Sequence, residues 1–152
     1  MLCAAGTGME NVQLFSLAFN SGLLVLAWIL QLVVYPTFRV IEGSKLKEWH
    51  GTYVVRASII SLPIMFGQLA TAMVDLFHHQ GILEITIILL LVILWILTIF
   101  FALPAHQLVS DGEKNQEGII TLIRRQWSRT AIWTLVWLLD TGHLVWMQIS
   151  AA

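Results

Sequence analysis

The chain has one cysteine, Cys3, and no lysine or arginine before Arg39. A lone cysteine excludes an internal disulfide and a thiolate metal cluster. With no basic residue ahead of it and an apolar run too long for a signal h-region, the first segment reads as a retained helix and not a cleaved leader. Charge is scarce as well: eight Lys and Arg face nine Asp and Glu, for a formal net charge of -1. That balance offers nucleic acid no basic surface. Also missing are a glycine-rich phosphate loop, a nucleotide signature and a Ser/His/Asp order in a supporting context. What fills the 152 residues is hydrocarbon. Hydrophobic residues make up 58% of the chain and mean hydropathy is +0.81, beyond what a water-soluble core requires. The solvent these residues specify is lipid.

A bilayer core of roughly 30 Å takes about 20 apolar residues at the helical rise. Four segments meet that length, at about residues 13–35, 53–77, 82–103 and 128–149. The expected fold is therefore all-α, a polytopic membrane four-helix bundle forming a single transmembrane domain over 1–152. Pro36 and Pro104 stand where the first and third helices should stop, because proline cannot donate to the ladder. Pro63 falls mid-span, where a kink is expected and neighbouring helices re-satisfy the freed carbonyl. His78, His79, Gln80 and Gly81 make a tight turn, whereas the first and third connections are long. Arg39, Lys45, Lys47 and Arg56 surround the first of these, and Lys114, Arg124, Arg125 and Arg129 the third. By the positive-inside rule both long loops are cytoplasmic and both termini lie on the other side. Pro36, Gly43 and Lys45 recur as Pro104, Gly112 and Lys114, a faint parallel repeat of two hairpins. The polar stretch from Ser110 to Glu117 should form a flexible tip, with an amphipathic lead-in over 118–126 to the fourth helix.

Polar residues within a span face other helices, because a lone polar group in hydrocarbon has no partner. Spacings of three and four place Asn20, Leu24, Trp28, Gln31 and Tyr35 on one side of the first helix. Ser61, Gln68, Thr71 and Asp75 share a face of the second, with Arg56, Pro63 and Gly67 on another. Glu84, Leu91, Trp95, Thr98 and Ala102 line the third, and Arg125, Arg129, Trp133, Val136, Asp140 and His143 the fourth. Together they predict a polar seam with two ends. The cytoplasmic end gathers Gln31, Tyr35, His50, Arg56, His106, Trp127 and Arg129. The outer end gathers Asp75, His78, His79, Glu84, Asp140 and His143.

At the cytoplasmic end this set suits a ligand with an apolar body and an anionic or redox-active head. His50 and His106 are candidate catalytic groups, as proton shuttles or as ligands to haem iron or another metal, and Arg56 and Arg129 would hold a carboxylate or stabilise an oxyanion. Gln31, Tyr35, Gln68, Trp95 and Trp127 are the accompanying ligand- or cofactor-binding candidates. In the plainer reading the histidines are interfacial loop residues, the aromatics form a belt and the arginines anchor helix ends. At the outer end Asp75, His78, His79, Glu84 and His143 are candidate ligands for a divalent metal such as zinc, copper or iron; the plainer reading is a hydrophilic hairpin tip. Asp140 and His143, three apart, can touch and serve a proton path. The seven tryptophans read chiefly as packing and interface anchors. Three functions follow: a membrane protein binding a lipophilic or quinone-like molecule, acting as an oxidoreductase in its enzymatic form; an accessory subunit packing against a larger membrane complex or its own copies; and a metal-handling protein.

Gln31, Tyr35, Pro36 and Phe38, then His50, Arg56, Pro63 and Met65, then Pro104, His106, Leu108 and Gly112, and finally Trp127, Arg129, Thr130 and Trp133 form a pattern that resembles small uncharacterised bacterial four-helix membrane proteins. The resemblance implies a multi-pass protein of the bacterial inner (plasma) membrane. More distantly, the four-span layout, the proline ending the third helix and the Trp-containing start of the fourth are similar to anthrone-oxygenase-like membrane proteins. That similarity implies cofactor-independent oxidation of a polyaromatic substrate near His50, Arg56, His106 and Arg129. His106 stands where an asparagine is expected in that family.

Overall fold

The computed structural model describes residues 2–41, 43–111 and 115–151. Among them the chain forms four helical rods and no strand. The first, α1, runs Leu2–Ile29, passes through a π-helical segment at Leu30–Val34 and closes with Tyr35–Thr37. The second, α2, is continuous over Gly43–His79. The third, α3, comprises Ile82–Ile96, a π-helical segment at Leu97–Ala102 and a final stretch Leu103–Asp111. The fourth, α4, spans Asn115–Ala151. α1 packs against α2 and α4, and α3 packs against the same two, so α1 and α3 stand on the diagonal of an up-and-down bundle.

Three stretches are long and apolar enough to cross a membrane: Glu10–Thr37, Lys45–His79 and Ile82–Gln107. The chain is thus a helical membrane protein by composition and length. α4 covers the expected fourth span, but Asp140, His143 and Gln148 dilute its apolar character, so composition alone does not qualify it.

The long loops expected on one side are replaced by helix over most of their length. α2 starts at Gly43, α3 continues to Asp111 and α4 begins by Asn115; Gly112 and Lys114 lie outside the described residues. The reason is a second apolar core. A rod of 37 residues is about 55 Å long at the helical rise, well beyond a hydrocarbon layer of roughly 30 Å. Tyr35, Phe38, Leu46, Ala105, Val109, Ile119 and Leu122 are buried together at one end of the rods, and such burial, worth about 1.5–3 kcal/mol for each side chain taken from water, holds the extensions helical.

Pro104 does not end the third helix, contrary to expectation, and Pro63 sits inside an unbroken α2. Each of the other two prolines follows a π segment by two residues, Pro36 after Val34 and Pro104 after Ala102. Polar side chains serve the backbone near both. Thr37 Oγ1 donates to the Val34 carbonyl at 2.6 Å, and Arg125 Nη1 donates to the Phe101 carbonyl at 2.8 Å. A π segment also shifts phase. The buried positions of α1 are Ser16, Asn20, Leu23, Ala27, Gln31 and Tyr35, not the expected stripe through Leu24 and Trp28. The successive steps of four after Leu23 would rotate off the core in a straight α-helix, and the wider π turn keeps Gln31 and Tyr35 inside.

The turn between α2 and α3 is as tight as expected. Gln80 adopts a left-handed backbone (φ 48°) and donates its N–H to the Leu76 carbonyl at 3.0 Å, closing α2 in the manner of a glycine cap. Gly81 leads into α3, where a Cβ would collide with the Glu84 carboxylate. A second glycine is required where α1 meets α2: a Cβ at Gly67 would lie 2.5 Å from Cζ of Phe19. Gly67→Ala should therefore lower stability by about 1–3 kcal/mol, the usual cost of overpacking. Phe19→Leu in the same chain should restore part of that loss, as measured by denaturant or thermal unfolding in detergent.

Candidate functional site

Polar side chains collect at two levels of the bundle. At the level nearer the chain termini, the Asp140 carboxylate of α4 accepts hydrogen bonds from Ser16 Oγ (3.0 Å) and Asn20 Nδ2 (2.6 Å) of α1. Gln68 Nε2 of α2 donates to Asn20 Oδ1 at 2.6 Å. Three rods are thereby tied through one amide, and Trp137 Nε1 adds a second α1–α4 link to Ser21 Oγ at 2.9 Å. The network borders a cleft of about 30 Å³ whose walls include Asp75, His79, Glu84 and His143. That is room for a water molecule or so. The fold therefore brings four of the five expected metal candidates to one cleft, while His78 is exposed and outside it. Among the described residues no group of three or more His, Cys, Asp or Glu is arranged to hold a metal ion. Gln68, expected beside the ligand at the other end, belongs to this network.

A second cavity, of about 280 Å³, lies on the other side of an apolar layer. That layer comprises Leu23, Ala27, Met65, Leu91, Leu94 and Val136. The cavity wall is largely apolar, with Ser58, Ser61 and Thr98 along it, and Tyr35, Tyr53, His106 and Arg129 at one end. Each arrives from a different rod. The π segment of α1 turns Tyr35 inward, Tyr53 extends from α2 beyond His50, and His106 is available only because α3 continues past Pro104.

His106 Nδ1 and His50 Nε2 are 3.1 Å apart, sharing a hydrogen bond whose direction depends on tautomer. His50 is fully buried and stands behind His106, away from the cavity wall. Aromatic rings enclose the pair. Tyr35 meets His106 edge-on (centroids 6.2 Å), Phe38 meets His50 edge-on (5.6 Å), and Tyr53 lies against both imidazoles at 6.1 and 6.4 Å.

Arg129 is 9% exposed. Its Nη1 donates to Gln126 Oε1 at 3.0 Å, its guanidinium lies 4.8 Å from the Trp133 ring centroid, and its Nε has no hydrogen-bond partner. No carboxylate pairs with it among the described residues. Trp133 Nε1, also on the cavity wall, is likewise buried without a partner. Unmade hydrogen bonds to buried groups cost about 1–3 kcal/mol each, so these two donors mark a place where a further acceptor fits.

Of the other residues expected here, Trp95 lines the cavity. Gln31 is buried with its Oε1 unpartnered, close in sequence to Tyr35 but off the cavity wall. Arg56 and Trp127, expected here, lie elsewhere. Arg56 is exposed and lines a surface groove with Lys45, Glu48 and Trp49; three residues from Tyr53, it is turned about 60° off that face. Trp127 is 47% exposed and packs edge-on against Trp28 at 5.9 Å. Two residues before Arg129, it points to nearly the opposite side of α4.

Comparison with protein-family models, with curated proteins and with solved structures returns no match. Tyr53, Ser16 and Gln126 are site residues that sequence reasoning missed. The available signal was spacing: Tyr53 is three residues from His50, Ser16 four from Asn20, and Gln126 three from Arg129, so each shares a helix face with a recognised polar residue. Asn20→Ala, which strands Gln68 and removes a donor from Asp140, should cost about 1–3 kcal/mol. Denaturant unfolding in detergent would show it, whereas Asn11→Ala at an exposed site of the same helix should change stability by less than about 0.5 kcal/mol.

Proposed function

We propose that this chain binds a lipophilic molecule with a flat, oxygen-bearing, quinone-like head in the 280 Å³ cavity. The observation that carries the reading is Arg129: a buried guanidinium with no carboxylate partner and an unpartnered Nε, at the polar end of an otherwise apolar space. Burying a charge without compensation is costly, and an oxygen acceptor on a ligand supplies what the protein does not. Tyr35, Tyr53 and His106 add hydroxyl and imidazole groups for ring oxygens, and Trp95 and Trp133 supply flat apolar contact. The His50–His106 hydrogen bond, 3.1 Å between Nε2 and Nδ1, suits a proton relay. In an oxidoreductase built on this site, the relay would exchange protons with the ring while a redox partner in the membrane exchanges electrons.

The same reading includes a fourth crossing. α4 presents Asp140 inward, where Oδ2 accepts from Ser16 and Asn20 of α1, so this carboxylate need not bar the rod from the bilayer. Lys and Arg confined to one end set the termini outside and the His50–His106 end in the cytoplasm, in a bacterial plasma membrane. A carboxy-terminal alkaline phosphatase fusion expressed in a bacterium should then be active and a green fluorescent protein fusion dark; the reverse pair would overturn the orientation.

Arg129→Met separates binding from stability. Removing an unpaired buried charge should leave unfolding unchanged or raise stability by about 1–4 kcal/mol. Binding of a decyl-substituted benzoquinone, followed by quenching of tryptophan fluorescence, should weaken at least tenfold. Unaltered quinone binding in a folded Arg129→Met protein would sink the proposal.

A further inference from the structure

The walls of the cavity are uneven. Its exposed lining residues are Leu62, Ile99 and Leu103, which lie on α2 and α3. These two rods meet along the first part of α3 and again along its extension beyond Pro104, while the π segment between packs chiefly against α4. Two aromatic contacts mark the ends of the resulting gap. Phe66 of α2 lies against Trp95 of α3 with centroids 5.1 Å apart, and Tyr53 lies against His106 at 6.4 Å. Thirteen residues of α2 and eleven of α3 separate these crossbars, or roughly 16–20 Å at the helical rise. Between them α2 contributes Ala57, Ser58 and Ser61, and α3 contributes Thr98 and Ala102. Small side chains on facing rods leave the space that the cavity occupies.

Resting on the reading above, we infer that the ligand is a tailed lipid that enters sideways from the bilayer through this window between α2 and α3. Its ring sits inside and its tail remains in the window. Size supports the division. At 280 Å³ the cavity falls just below the roughly 300–1,000 Å³ of sites that enclose a whole small ligand. A ring fits there, but a long hydrocarbon tail must lie elsewhere. Leu62, Ile99 and Leu103 give that tail an apolar rim continuous with the lipid, and the ionisable groups stay at the end held by His106 and Arg129. Entry from lipid avoids moving the tail through water, which would cost about 0.8 kcal/mol for each methylene exposed.

The experiment compares two probes with the same dimethoxybenzoquinone head, one with a ten-carbon tail and one without, on the full chain in nanodiscs of fixed lipid composition. Both are followed by tryptophan quenching. Ser61→Trp fills the window, and Ala57→Leu narrows it more gently, so the test survives failure of the bulkier variant to fold. The measured quantity is the ratio of tailed to tail-less affinity relative to the unaltered protein, in which partition into the bilayer cancels. A fall in that ratio of at least fivefold for Ser61→Trp, with a smaller fall for Ala57→Leu, is expected. A ratio unmoved by both substitutions, while Arg129→Met still weakens both probes, would overturn the window and leave the head site standing. Insensitivity of both probes to Arg129→Met would overturn the head site, and the inference with it.

Discussion

The hydrogen bonds that converge on Asp140 and Asn20 set the register of the bundle. Hydrocarbon offers neither residue a partner, so each must find one on another rod, and only one axial and rotational setting of α1, α2 and α4 brings Ser16, Asn20, Gln68 and Asp140 together. Apolar surfaces alone would not be so selective, because in lipid there is little hydrophobic drive to prefer one helix face over another. Once this level is fixed, the other ends of the same rods are placed by their length. Tyr35 lies fifteen residues beyond Asn20, and Arg129 eleven residues before Asp140 along α4, so both arrive roughly 16–22 Å away at the helical rise.

What happens at that distance depends on the two π segments. A regular helix carried from Asn20 would drift off the core before Tyr35, and one carried from Glu84 would be expected to stop at Pro104. Both rods instead widen for about one turn ahead of a proline. The recurrence fits the faint sequence repeat of two hairpins, though the repeat was visible only as matching prolines, glycines and lysines. In α3 the detour has a further effect: it holds the rod away from α2 while His106 is carried on to meet His50 and Tyr53.

Much of the fold is legible in residue order, and less of the site. Apolar run lengths locate the rods, the Gln80–Gly81 turn is plain, and spacing by three and four finds Asn20, Tyr35, Asp140 and Arg129. The sequence misleads where helix periodicity is altered. A 3.6-residue period carried through to Tyr35 puts Leu24 and Trp28 on the inner stripe, but the segment Leu30–Val34 departs from that period. The connections looked like loops because their polar residues hide the contacts of Leu46, Val109 and Leu122, which become apparent only when all three rods are seen together. Depth along the chain groups Arg56 and Trp127 with the histidines. Depth does not specify azimuth, and both point elsewhere.

The apolar layer of Leu23, Ala27, Met65, Leu91, Leu94 and Val136 has an electrical meaning. It is a low-dielectric gap between the Asp140 network and the polar end of the larger cavity, and a transmembrane voltage falls mainly across such gaps, at about 2.3 kcal/mol per elementary charge for each 100 mV. In the proposed orientation, a proton that reaches His106 from the cytoplasm and returns there does not cross this gap. Proton exchange at that end of the cavity would then not be driven across the layer by the voltage, and the carboxylates around Asp140 would equilibrate with the opposite compartment.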